Sequence, residues 1–197
     1  MSEPTADVID LLAGVERGSA LDRIRDQRPV ARENAQKSWV ALFEPEEPGT
    51  VSAQERYAVA AFVATLHREP ETARFYAEAL AGRDSGLAAA VAAEAERAGA
   101  EGPYGHYPAG PLSAEDKRGP VYHVSGEGRP ELGPRLAAAL AHTHLLVFRP
   151  RDASAAALQA LLDAGWSTTD IVTLSQLVAF LSFQIRVVAG LRALAAA

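Results

Sequence analysis

The chain has 197 residues, 48% hydrophobic and 22% charged, which is enough for one buried core and excludes a wholly disordered chain. With 19 Lys plus Arg against 25 Asp plus Glu, the net charge of -6 offers no footprint for a nucleic-acid backbone. The absence of cysteine removes disulfides, thiolate nucleophiles, dithiol redox exchange, iron–sulfur ligation and cysteine zinc sites.

Alanine supplies much of the apolar fraction and aromatics only 7%, so closely approaching helices are expected, in an all-α fold. The first residues, MSEPTADVID, carry acids where a secretory signal needs bases followed by an apolar run, and a cytoplasmic location is expected.

In chain order, helices are expected at 7–14, stopped near Gly14 and Gly18; at 20–27 after Ser19; and at 30–43 after Pro29. Pro45, Pro48 and Gly49 end that run. Ser52 and Glu55 have capping-box spacing, which starts a helix at 53–67 carrying Tyr57, Val59, Phe62, Val63 and Leu66. Pro70 opens the next helix, with Phe75, Tyr76, Ala79 and Leu80 on its apolar stripe, and an Ala-rich helix covers 86–98.

From 99 to 134 the chain turns rich in Gly, Pro, Tyr and His, with room for a short extended piece at 121–124. Both an ordered crossover over a site and a flexible linker satisfy this composition. Helices follow at 135–147, 154–163 and 169–194, with Gly165 placed just beyond a helix end and Ser167 and Asp170 marking the next start. The chain divides into a helical half at 1–98, a connector at 99–131 and a helical half at 132–197, the halves sharing one core.

The last helix carries Leu174, Leu177, Val178, Leu181, Ile185 and Val188 on one face and Phe180, Phe183, Val187 and Leu191 on another. Two apolar faces place it centrally or against another subunit. Its apolar tract at 171–185 is shorter than the roughly 20 residues that span a bilayer and contains Ser and Gln, so no membrane partner is expected.

The groups able to do chemistry each have a structural alternative. Glu55 is a proton-relay carboxylate or the partner of Ser52 in the capping box. Tyr57 is two residues on and turned about 200° away from it. His67 is a general base or a helix-end residue, and Tyr76 a proton donor or a packed ring with a polar handle. His142 and His144, two apart, point in different directions on a helix, so they do not make a metal pair; one of them facing a pocket is the functional reading. His106 and His123 lie in the connector without metal-ligand spacing, and neither a metal nor a cofactor is expected. Arg149 holds a substrate carboxylate or a solvated helix end; Arg186 binds an anion or reaches to solvent from an apolar helix.

The segments VSAQERYAVAAFVATLHREPETARFY and DAGWSTTDIVTLSQLVAFLSFQIRVVAGL resemble the carboxymuconolactone decarboxylase and alkylhydroperoxidase D superfamily, in its peroxidase-related branch of about 200 residues. The resemblance spans about 50–82 and 133–194. It implies an alkylhydroperoxidase D-like helical bundle with two related helical halves that assembles as a homo-oligomer.

Thiol-active relatives carry an ERE-like segment followed by CxxCxxxH. Aligned without a gap on Glu55, the relay glutamate falls on Tyr57, the cysteines on Glu69 and Thr72, and the histidine on Tyr76. A shift by two restores Glu55 and sets His67 at the first cysteine position. Neither register supplies a thiol, so thiol-peroxidase chemistry is not expected.

The decarboxylase side of the resemblance implies a lyase or isomerase acting on a small organic acid, with Glu55, Tyr57, His67 or His144 as acid or base and Arg149 or Arg186 orienting the carboxylate. The other reading is a noncatalytic structural or interaction subunit, a companion of a cysteine-bearing relative.

Overall fold

The computed structural model describes residues 6–196. Among these residues there is no strand, and nine α-helices make up an all-α fold. They are α1 Val8–Ala13, α2 Ala20–Asp26, α3 Pro29–Phe43, α4 Ala53–Leu66, α5 Pro70–Ala81, α6 Ser85–Arg97, α7 Arg129–Phe148, α8 Ala155–Asp163 and α9 Thr168–Ala195.

The helix starts follow from capping chemistry. Ser52 caps α4 through the backbone N–H of Glu55, whose carboxylate accepts the Ser52 N–H in return. Ser167 and Asp170 repeat the arrangement at α9. Exchange of Ser167 for alanine should therefore cost about 1 kcal/mol of stability, read as a lower urea midpoint with an unchanged slope. At the other end of α8, Gly165 takes a φ of 89°, and the N–H groups of Gly165 and Trp166 reach the carbonyls of Leu162 and Leu161.

α7 differs from the expected 135–147 because a first turn at 129–132 precedes it. Gly133, at φ 66° and ψ 168°, breaks the helix there, and Pro134 starts its long part.

α4 is the centre of the molecule. Ala58, Ala60, Phe62, Val63 and Ala64 have no exposure, since α5, α6, α7, α9 and α3 surround the helix, and its alanines let those neighbours approach closely. α9 lies alongside, burying Leu174, Leu177, Leu181 and Val188 and packing on α1, α3, α4, α7 and α8. Phe180 and Leu191 on its second face are buried too, whereas Phe183 remains 47% exposed. At 28 residues α9 is long and apolar enough to cross a bilayer by composition, but half of its most apolar window is packed inside the protein. Helices from both sides of the connector contribute to a single hydrophobic core.

Arg56 ties the turn after α3 to α4. It is 4% exposed and donates to the carbonyls of Leu42, Pro48 and Val51 at 2.7–3.0 Å.

The connector is laid against the helices. Tyr104 N–H donates to the Phe148 carbonyl, Gly105 and Lys117 exchange backbone hydrogen bonds, and a 3-10 turn covers Pro111–Glu115. The expected extended piece at 121–124 forms no strand, although it alternates as one would: Tyr122 and Val124 face inward while Val121 and His123 are exposed.

Candidate functional site

A half-open cavity of about 580 Å³ lies between α7, α8 and the segment 121–124. Its floor is one face of α7, where Pro134, Ala137, Ala138, Ala141, His142 and Leu145 recur at spacings of three and four. Ala157, Ala160 and Leu161 of α8 form one wall and 121–124 the other. The alanines leave the space open, because each contributes only a methyl group.

The second wall is anchored by Glu94 of α6, a carboxylate only 3% exposed. It accepts from the Tyr122 hydroxyl at 2.7 Å, the Ser125 N–H at 3.0 Å, the Ser125 hydroxyl and the Arg97 guanidinium. Burial alone would raise the Glu94 carboxyl, but the hydrogen bonds from Ser125, Tyr122 and Arg97 outweigh it and hold it at about 2.

His142 is the polar group in the middle of the floor. It is 6% exposed, and neither ring nitrogen has a hydrogen-bond partner among the described residues. Burial lowers its pKa, so the ring is neutral at pH 7, with one nitrogen able to accept a proton and the other to donate.

Seven residues on, at the end of α7 and on the same face, Arg149 also lines the cavity. Its Nη1 donates to Asp152 Oδ2 at 3.2 Å, while its Nε is buried without a partner among the described residues. Asp152 is itself held by the His106 N–H at 3.1 Å, so connector and helix end together fix the guanidinium. An imidazole and a guanidinium on one face of an otherwise apolar cleft are suited to an organic ligand with an acidic group.

The candidates read from the sequence fall elsewhere, Arg149 excepted. Glu55 is occupied by the α4 cap and by Arg135, whose Nε lies 2.7 Å from its Oε1. That arginine also reaches Asp170 at 3.3 Å and stacks on Trp166, joining the starts of α4 and α9. Tyr57 packs on Phe43 with the Arg83 guanidinium 4.1 Å from its ring centre, and burial raises its hydroxyl.

His67 caps the end of α4, with Nε2 3.3 Å from the Ser182 hydroxyl. Burial and then the charge of nearby Arg186 lower its pKa. Arg186 itself is exposed. His144 is turned away from His142; its Nε2 meets the Ala98 carbonyl at 3.2 Å, its ring stacks on Tyr122, and burial lowers its pKa to about 4. Tyr76 is fully buried and donates to Gln184 Oε1 at 2.7 Å.

The structure thus brings His67 near Arg186, but it sets Glu55, Tyr57, His67 and His144 apart from the cavity that Arg149 lines. Of the two histidines, one of which was expected to face a pocket, it is His142 that lines the cavity, whereas the acid/base role was assigned to His144. The spacing of seven between His142 and Arg149 was the available signal, since that interval returns to the same helix face.

Among the described residues no group of three or more His, Asp or Glu side chains is placed to hold a metal ion. Comparison with protein-family models, with curated proteins and with solved structures gave no match to this chain.

Proposed function

We propose that the protein is a carboxymuconolactone decarboxylase-like helical protein without thiol-peroxidase chemistry, a lyase or isomerase that takes a small organic acid into the cavity on α7. The carrying observation is His142, neutral, buried and without a partner, on the same helix face as Arg149. The helix–turn–helix of α4 and α5, where the resemblance places the ERE-like segment and the dithiol positions, supports the scaffold reading. The two related halves and the alkylhydroperoxidase D-like bundle belong to this proposal.

Arg149 holds the carboxylate through its guanidinium, and His142 acts as base and then acid. In an isomerisation, His142 removes a proton from a carbon flanking a double bond. The freed electron pair forms the new double bond, and the imidazolium returns the proton at the far end of the displaced π system. Nothing is oxidised or reduced, so the absence of sulfur is no obstacle.

The test is solvent deuterium incorporation by NMR into a panel of unsaturated carboxylic acids. Wild type should label at least one of them, and His142→Ala should slow that labelling about 10²-fold or more with helicity unchanged. A wild-type protein that labels none of the panel, or a variant as fast as wild type, would overturn the reading.

A second reading, the noncatalytic oligomeric subunit, is favoured by the exposure of Val172 and Phe183 on α9. Light scattering at dilute concentration together with the labelling assay decides it: a dimer or larger species that labels no acid is expected, and a persistent monomer counts against it.

A further inference from the structure

Resting on that reading, we infer that the acid is an elongated one: a straight-chain monocarboxylate with its head at Arg149 and its apolar tail along the alanine face of α7. The shape of the cavity carries this. Its floor runs from Pro134 to Arg149 without interruption, and at 1.5 Å rise per residue that is roughly 22 Å of groove. A compact ring acid would occupy one end and leave the rest filled with water against methyl groups. A volume of about 580 Å³ drawn out along that length matches a chain.

The distribution of polar groups points the same way. Along the floor between Pro134 and Arg149 the side chains are alanine and leucine, interrupted by His142 alone, and α8 adds two further alanines and Leu161. A ligand polar along its length would lose its water hydrogen bonds there without replacement.

The ends are cationic. Arg129, at the Gly133 end, is exposed to water. Arg149 is the more buried of the two, with its side chain 13% exposed, and its Nε is unmatched while Asp152 fixes Nη1. A guanidinium held in place by Asp152 and largely shielded from water gains more from a carboxylate than a solvated one does, which sets the head at Arg149. His142, two turns back along the helix, then meets the chain several carbons from its head.

The experiment is calorimetric titration of the full chain with octanoate, decanoate, dodecanoate, cyclohexanecarboxylate and decan-1-ol, below their aggregation concentrations. Affinity should tighten roughly fourfold per added methylene along the straight-chain series, at one site per chain. Decanol should bind at least tenfold more weakly than decanoate, and Arg149→Gln should weaken decanoate at least tenfold while leaving decanol unaffected. Ala141→Phe, and independently Ala157→Met on the facing wall, should abolish the gain with chain length; helicity and thermal midpoint identify a variant that has failed to fold.

A flat series, or cyclohexanecarboxylate binding most tightly, overturns the elongated ligand while leaving the small-acid reading standing. Binding of neither shape removes both. A dimer that Ala141→Phe splits, with no acid bound, assigns the groove to a second copy of the chain and overturns the inference.

Discussion

Exchange of Glu94 for glutamine should lower stability at neutral pH by on the order of 3 kcal/mol and shift the acid-unfolding profile. The carboxylate receives four kinds of donor from Tyr122, Ser125 and Arg97, and glutamine replaces one accepting oxygen with an amide that donates where donors already point.

The sign of the pH dependence follows from the pKa being depressed in the folded state, to about 2 from an ordinary 4.5. The stabilisation is fully present above pH 4.5 and is lost as the pH falls toward 2. Wild type and variant should therefore differ most at neutral pH and converge below pH 3 in urea titrations at several pH values. A gap of constant size across that range would show that shape, and not charge, anchors the connector.

Arg56 gives the second large effect. Exchange for methionine preserves the apolar stem but strands three backbone carbonyls, two of them well inside the protein, and should cost about 3 kcal/mol. Lysine keeps the charge but cannot fork toward Leu42, Pro48 and Val51 at once, so Arg56→Lys should recover only part of that loss. Burial lowers the pKa of the Arg56 guanidinium, with the charges of Glu55 and Asp170 opposing, yet it stays charged at any pH at which the protein folds. The loss should accordingly be independent of pH between 5 and 9. Urea midpoints for the two variants check this, and a methionine variant as stable as wild type would mean that water reaches the three carbonyls.

The helices were legible in the sequence because their ends are written in local chemistry. Ser52 with Glu55, Ser167 with Asp170, Pro70 and Gly165 all act within one turn, and the structure uses each as the spacing requires. The start of α7 was expected six residues late because its first turn stands before Gly133 and Pro134, a pair that reads as a break.

The two apolar faces of α9 were legible as a central position. Their exception, Phe183, depends on which neighbour happens to end short of it, and that is a property of the tertiary arrangement.

The site was legible only in part. Arg149 and the role of Glu55 in capping could be read from position, and so could the divergence of His142 and His144. Which of the two histidines meets a cavity depends on where the connector lies. That in turn is decided by Glu94, which its spacing of seven from Leu87 puts on the buried face of α6, unlike the exposed Glu96, but whose partners Tyr122 and Ser125 no local pattern announces. Nor does any local pattern announce Arg135, whose partners Glu55, Gly165 and Asp170 converge from three separate parts of the chain.

The encirclement of α4 also bears on the order of folding. α4, α5 and α6 follow one another directly and touch one another, so they can collapse as a local unit as soon as they are synthesised. The α9 side of α4 has a different history, since its cover is made about a hundred residues later, after the connector, α7 and α8. During that interval the growing chain displays an alanine- and valine-rich surface with no native partner. Slowing the synthesis of α9 would lengthen this exposed stage without altering a single contact of the finished protein, and yield in the cell would then be limited by elongation rate and chaperone supply instead of by equilibrium stability.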